Sequence, residues 1–258
     1  MKLYCIPKYE EIKGYEELAK KYHLSFEYND FFVPPVFMDK QRLSEIIANY
    51  KALNRDRSQD TLHGAFLDVT VHSDDPDIYE ISKKRVYQSM DIAMELGAKA
   101  VVFHTNFISN FRMKFYQDNW VERNEAFWRA TLDKYPTLSI YIENMFDESP
   151  DMLQRLAIAM EDEERFGVCL DFAHAYISGT SIDEWVDKLG KYTKHIHIND
   201  NDGVSDMHLP VGKGKFPWER YAKLLKKLPN EVSVLIEVRC LQDVKDSIAY
   251  MEKMGLPL

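Results

Sequence analysis

Eight times along the chain, a short run of apolar, β-branched and aromatic residues is followed by a longer stretch of helical period. No other feature limits the fold as much. The runs are MKLYCI (1–6), LSFEY (24–28), TLHGAFLDV (61–69), AVVFHT (100–105), LSIYIENM (138–145), GVCLDFAHAY (167–176), KHIHIND (194–200) and VSVLIEV (232–238). Between them, Ile12, Tyr15, Leu18 and Ala19 share one stripe, and a helix is expected from about Lys40 to Leu53 after a loop at Pro34-Pro35. Ile81, Val86, Met90, Ala93 and Leu96 keep helical spacing until Gly97 closes the element, and Pro150 sits well at a helix start. Strands that are nearly all apolar, each followed by a helix, imply a parallel sheet covered by helices. Eight repeats in 258 residues fit a closed (β/α)8 barrel, one domain over residues 1–258, better than an open doubly wound sheet. No Gly-x-Gly-x-x-Gly turn follows the first run, so a dinucleotide-binding reading lacks its phosphate loop.

Charge narrows the range of substrates. Lys plus Arg number 33 against 42 Asp plus Glu, a net charge of −9. Nucleic-acid binders need a basic face to neutralise phosphates, and only Lys223, Lys226 and Lys227 gather on one helix face. The balance argues against a nucleic-acid partner and favours a small molecule. No apolar run is long enough to span a membrane, and the N-terminus turns polar after six residues. Cys5, Cys169 and Cys240 are odd in number and lie in or beside apolar runs, which suits free thiols in a reducing cytoplasm. A homo-oligomer is left open.

In a barrel of this kind, function belongs at the C-terminal ends of the strands. The third to eighth runs deliver His63, His104, Glu143, Asp171 with His174, His197 with Asp206 and His208, and Glu237 to that rim. Glu143 and Glu237 each end a run of core residues. Strand periodicity turns them opposite Ile142 and Ile236, into the barrel mouth. A buried unpaired carboxylate is costly, so each needs a cation or strong donors. Asp171 in VCLDF has the same difficulty, and a divalent metal with His197 as nitrogen ligand reconciles all three. Taken singly, each residue has an ordinary explanation: Arg239 could pair with Glu237, and His63 or His104 could be core histidines. His195 points inward one layer deeper and reads as structural; His23 and His72 have no assigned role. Asp200, Asp202 and Gly203 read as turn formers, and Gly212-Lys213-Gly214 as a turn, a hinge or a close-approach point for substrate.

The stretches LHGAFLDV, ELGAKAVVFHTNF, IYIENMF, GVCLDFAHAY, HIHINDNDG and DMHLPVGKG resemble the xylose isomerase-like TIM-barrel superfamily over nearly the whole chain. That group contains sugar isomerases and epimerases, inosose dehydratases and endonuclease IV. Resemblance to its ketose 3-epimerase branch implies one ion held by Glu143, Asp171, His197 and Glu237, with the two glutamates moving protons and His174 touching substrate. That branch carries an arginine near the position of His208, a departure from its pattern here. Resemblance to the endonuclease IV branch implies three zinc ions on nine ligands: His63, His104, Glu143, Asp171, His174, His197, Asp206, His208 and Glu237. The expected function is a divalent-metal-dependent isomerase or epimerase (Mn, Zn, Co or Mg; one ion, up to three) acting on a small sugar, sugar phosphate or polyol. A metal-polarised carbonyl would lose its α-proton to Glu143 or Glu237, giving an enediolate. A lyase sharing that enediolate and an endonuclease IV-type zinc phosphodiesterase acting on abasic-site DNA are the alternatives. His174, His63 and Lys213 are expected to contact substrate, with Phe66, Phe107, Phe146 and Trp218 as pocket walls.

Overall fold

The inner wall of the molecule is eight parallel strands closed in sequence order: β1 (Lys2–Cys5), β2 (Ser25–Tyr28), β3 (Thr61–His63), β4 (Ala100–His104), β5 (Ser139–Glu143), β6 (Phe166–Asp171), β7 (Thr193–Ile198) and β8 (Ser233–Ile236). Closure is direct, because β8 pairs with β1 through Leu3↔Val234 and Cys5↔Ile236. The computed structural model describes residues 1–257, apart from the side chain of Phe37. The expected (β/α)8 TIM barrel is thus the observed fold.

Ten α-helices surround it among the described residues: α1 (Ile12–Tyr22), α2 (Pro34–Met38), α3 (Lys40–Lys51), α4 (Pro76–Leu96), α5 (Lys114–Lys134), α6 (Asp151–Ala159), α7 (Phe172–Ile177), α8 (Ile182–Leu189), α9 (Trp218–Leu225) and α10 (Leu241–Met254). Two were not expected. The Pro34-Pro35 stretch starts the short α2, where a proline's fixed φ suits the first turn. The segment after β6 turns at once into α7, because the Asp171 side chain caps it by accepting the His174 N–H at 2.7 Å. α4 has the clearest ends: Asp75 accepts the N–H groups of Asp77 and Ile78, and Gly97 stops the helix at φ +75°.

Period-two alternation divides the strands' side chains between two environments. Val101, Phe103, Ile140, Ile142, Val168, Leu170, Ile196, Val234 and Ile236 face outward and pack with helix residues such as Val86, Trp128, Leu153, Trp185 and Ile248. Burying each large apolar side chain there is worth roughly 1.5–3 kcal/mol. The opposite parity fills the barrel with Ala100, Val102, Tyr141 and Cys169, and with Tyr4, Ile6 and Leu235. One step further along the same parity lie His63, His104, Glu143, Asp171, His197 and Glu237. The rule that builds the barrel core therefore also aims those six side chains at one mouth.

Candidate metal centre

Ladder register sets the lateral order at the mouth. His104 is the neighbour of Glu143 across β4 and β5. A register shift between Val168 and Cys169 places Asp171 beside His197. The α7 cap delivers His174 one turn beyond Asp171. The long connection after β7 folds back through an Asp200–Leu209 bridge and brings Asp206 and His208 over the rim.

All nine residues expected at the rim are gathered there, in three groups whose donor atoms lie within 4.8 Å of one another. Glu143, Asp171, His197 and Glu237 form the central group. His63 and His104 form a second with Glu143, and His174, Asp206 and His208 a third. Glu143 belongs to two groups because its oxygens face different ways. Oε2 lies 3.5 Å from His63 Nε2 and 3.4 Å from His104 Nε2, while Oε1 lies 3.1 Å from His197 Nδ1. Glu237 Oε2 reaches the same His197 nitrogen at 3.3 Å.

The histidine tautomers are set by partners behind the rings. A carbonyl oxygen can only accept, so a ring nitrogen beside one carries the proton. His174 Nδ1 faces the Asn144 carbonyl at 2.9 Å, His63 Nδ1 that of Gly64 at 3.2 Å, and His208 Nδ1 that of Glu237 at 3.2 Å. Each therefore offers Nε2 forward, and the Nε2 atoms of His174 and His208 lie 3.4 and 3.1 Å from Asp206 Oδ2. Metal-binding imidazoles are oriented in this way.

The charges are concentrated and buried. Burial pushes the Asp171 carboxyl up to about 7, and the neighbouring Glu237 and Glu143 add to the rise against an opposing His174. Burial also opposes the charge on Glu237, but His197 and His208 outweigh it and hold this carboxyl at about 2. His208 is raised to about 9 against burial, by Glu237 and Asp206. Glu143 lies well below the usual carboxylate range, as burial is outweighed by His197 and His104. Glu143 Oε2, Asp171 Oδ2, Asp206 Oδ1 and Glu237 Oε2 are all buried without a hydrogen-bond partner among the described residues. Orphaned carboxylate oxygens opposite pre-oriented imidazoles fit divalent cations of the zinc or manganese type, which take this mixed N/O donor set.

Other expected contacts fall differently. Phe66 does wall the mouth, with its ring 4.8 Å from His104 and 5.9 Å from His63. Phe146 is 62% exposed beside His174, at 5.9 Å. Phe107 instead packs on Tyr116 and Trp120. Trp218 is buried against Phe216 and Tyr221 and donates its indole N–H to Asp200. Asp200 is no mere turn former, since it is fully buried and also accepts the N–H groups of Gly212 and Phe216. The Lys213 side chain is exposed and is not among the residues lining the cavity at the mouth. Arg239 makes no ion pair with Glu237 among the described residues. His195 lies one layer deeper, with Nδ1 2.6 Å from Ser233 Oγ.

The cavity, about 250 Å3, is lined by the site residues His63, His208 and Glu237, by Phe32 and Phe66, and by Asn29, Lys8 and Arg239. The two cations come from adjacent strands, each three residues past the paired Cys5 and Ile236. Sequence reasoning missed Lys8 and named Arg239 only as a possible partner of Glu237, and it missed Glu27, which lies deeper under His197.

A parallel barrel with a histidine–carboxylate constellation at its C-terminal mouth defines a class of TIM-barrel proteins whose rim residues could hold a metal ion. The chain belongs to the xylose isomerase-like TIM barrel family, whose model matches residues 23–254. It is 28% identical over 178 residues to the probable endonuclease 4 of Mycobacterium leprae, covering 64% of this chain and 68% of that one. It is also 34% identical to the fructoselysine 3-epimerase of Escherichia coli O157:H7, but over only 80 residues, 31% of this chain and 28% of that one. The longer matches span about two thirds of the relatives' own length. Solved structures sharing the fold include the TTHB071 protein of Thermus thermophilus soaked with ZnCl2, with TM-score 0.70, 20% identity and 99% and 98% of the two chains covered. A D-tagatose 3-epimerase-like protein superposes with TM-score 0.75, 18% identity and 98% and 96% coverage. Endonuclease IV from Thermus thermophilus gives 0.64, 18%, and 98% and 100%. Members of the family are enzymes. Among the described residues no helix is long and apolar enough to cross a membrane.

Proposed function

We propose that the chain is a divalent-metal-dependent hydrolase of a small phosphate ester, with a centre built for three ions. The observation that carries this reading is the double engagement of Glu143. Its Oε2 belongs to the His63–His104 group and its Oε1 to the His197 group. A carboxylate used on both sides has no oxygen free to take a proton from carbon, which is the task an epimerase would give it. The flanking groups would also be superfluous around a single ion.

His63, His104 and Glu143 would hold one ion; Glu143, Asp171, His197 and Glu237 the second; His174, Asp206 and His208 the third. When bound, the ions would polarise phosphoryl oxygens and ease ionisation of the attacking water. The protein supplies the rest. Asp171 uses one oxygen to cap α7 and so keeps His174 in place, leaving the other for the centre. Phe32 and Phe66 line the approach and limit water entry. Lys8 and Arg239 offset the substrate's negative charge, while the buried Asn29 Oδ1 has no hydrogen-bond partner among the described residues and suits a hydroxyl. The small cavity and the net charge of −9 favour a phosphorylated small molecule over a DNA duplex.

A second reading is the metal-dependent isomerase or epimerase of a sugar, sugar phosphate or polyol. It is favoured by Glu143 and Glu237 flanking His197 at 3.1 and 3.3 Å, and by the local likeness to fructoselysine 3-epimerase. In that reading the central four residues hold one ion of Mn, Zn, Co or Mg, the two glutamates exchange the α-proton, and His174 and His63 touch substrate.

Elemental analysis of the purified protein, combined with two assays, tests the proposal. Three equivalents of metal and hydrolysis of bis(4-nitrophenyl) phosphate are expected. One equivalent, with deuterium incorporation into a ketose or ketose phosphate from D2O and no hydrolysis, would establish the second reading instead. Incision of abasic-site DNA would retain the chemistry but replace the small substrate.

A further inference from the structure

Below the ligands, in the second strand, Glu27 is fully buried and takes no part in the three donor groups. Its Oε1 lies 3.3 Å from His197 Nε2, and its Oε2 lies 3.4 Å from His195 Nε2 and accepts the Thr61 hydroxyl at 2.7 Å. His195 in turn leans on Ser233. His197 differs from His63, His174 and His208, which each place Nδ1 against a backbone carbonyl and offer Nε2. It offers Nδ1 to Glu143 and Glu237 and turns Nε2 away. Among the described residues that rear nitrogen makes no hydrogen bond, to a backbone carbonyl or otherwise, and it lies at ion-pair distance from Glu27 Oε1, which is likewise without a hydrogen-bond partner.

We infer that Glu27 is a positioning residue for the metal centre, holding the proton on His197 Nε2 so that the Nδ1 lone pair faces the ion position. The inference rests on reading His197 as a ligand. A carboxylate behind a ligating imidazole fixes the tautomer and ring plane and raises the donor strength of the forward nitrogen. It also accounts for an acid buried so deep in a barrel, where an isolated charge would be expensive. Cys169, His195 and His197 also lie within 4.8 Å of one another. They do not amount to a fourth ion site, since both His195 nitrogens already face Ser233 and Glu27.

The test is competition for Zn2+ between the full-length protein and a chromophoric chelator, using wild type, Glu27→Gln and Glu27→Ala. Zinc-free melting curves of each variant report folding separately. Glu27→Gln keeps the volume and one hydrogen bond and is expected to weaken the zinc step that uses His197 about 10-fold, and Glu27→Ala about 100-fold. In the zinc-loaded wild type, nitrogen-15 spectra should show His197 protonated at Nε2, and Glu27→Ala should shift that resonance. A wild type that binds zinc, with both variants matching its affinity and spectrum, overturns the inference alone, whatever the melting curves do. A wild type that takes up no zinc overturns the reading of the centre and the inference with it. If Glu27→Ala fails to fold, the Glu27→Gln affinity decides.

Discussion

Trp218 donates its indole N–H to Asp200 at 2.7 Å, inside the protein, and this contact anchors the connection that carries Asp206 and His208. Asp200 also accepts the N–H groups of Gly212 and Phe216, both at 3.0 Å. Asp200→Ala leaves these donors buried and unpaired, at about 1–3 kcal/mol for each. Stability in urea should fall by about 3 kcal/mol or more, and metal analysis should show loss of the ion assigned to His174, Asp206 and His208. Full retention of three ions would separate the loop's anchor from the site.

The Gly212-Lys213-Gly214 stretch serves the same loop. A Cβ on Gly214 would lie 2.2 Å from the Asn201 carbonyl oxygen, a backbone atom that cannot easily yield, and 2.3 Å from Asp200 Oδ1. The close approach seen at Gly214 is therefore of the loop to itself. Gly214→Ala should cost about 1–3 kcal/mol in thermal or urea unfolding. An unchanged midpoint would mean the loop has room to shift.

The three donor groups should lose ions separately. The double variant His63→Ala/His104→Ala should retain two equivalents of zinc, as should Asp206→Ala/His208→Ala. Glu143→Ala should fall to one or none, because it serves two groups. If all three variants bind the same amount as wild type, the grouping does not describe metal uptake. Hydrolysis of bis(4-nitrophenyl) phosphate should drop by about 100-fold or more in each.

His72 predicts a pH effect away from the centre. Burial, with Arg123 adding to it, lowers this imidazole to about 4 from an ordinary value of 6.5. The folded state binds the proton more weakly than the unfolded chain, so this residue stabilises the fold fully above about pH 6.5. That contribution is lost as pH falls towards 4, up to about 3 kcal/mol in all. Comparing urea unfolding of chelated wild type and His72→Phe between pH 7 and 4.5 isolates it. The wild type should lose more stability on acidification, and equal slopes would refute the assignment.

Much of this was legible in the residues because one rule covers both core and site. Period two puts Leu235 inside the barrel and, one step on, Glu237 at its mouth. An acid in that position stands out against VSVLI. The same rule applied to LSFEY exposes Glu27, whose parity matches Ser25; it escapes notice because its register partner Thr61 opens β3, so it lies below the rim although it stands near the end of its own strand. The division of the nine rim residues into three groups was not legible. It depends on the register shift at Val168–Cys169 and on which oxygen of Glu143 faces which neighbour. Nor was the second duty of Asp171 as a helix cap, since spacing does not reveal that one carboxylate can do both. Trp218 misled because a tryptophan near a site suggests a wall, whereas its polar edge had a partner in Asp200.

The sharing of Glu143 has a thermodynamic consequence. In the three-ion reading, an ion on one side of this carboxylate would withdraw its charge from the other side but also fix its orientation, so the two neighbouring donor groups would not fill independently. Whatever factor the first occupant imposes on the second, in either direction, the second must impose on the first. Titrated with a single cation, the protein should depart from a simple sum of separate isotherms, and the size of that departure measures how strongly one side chain links two halves of the mouth.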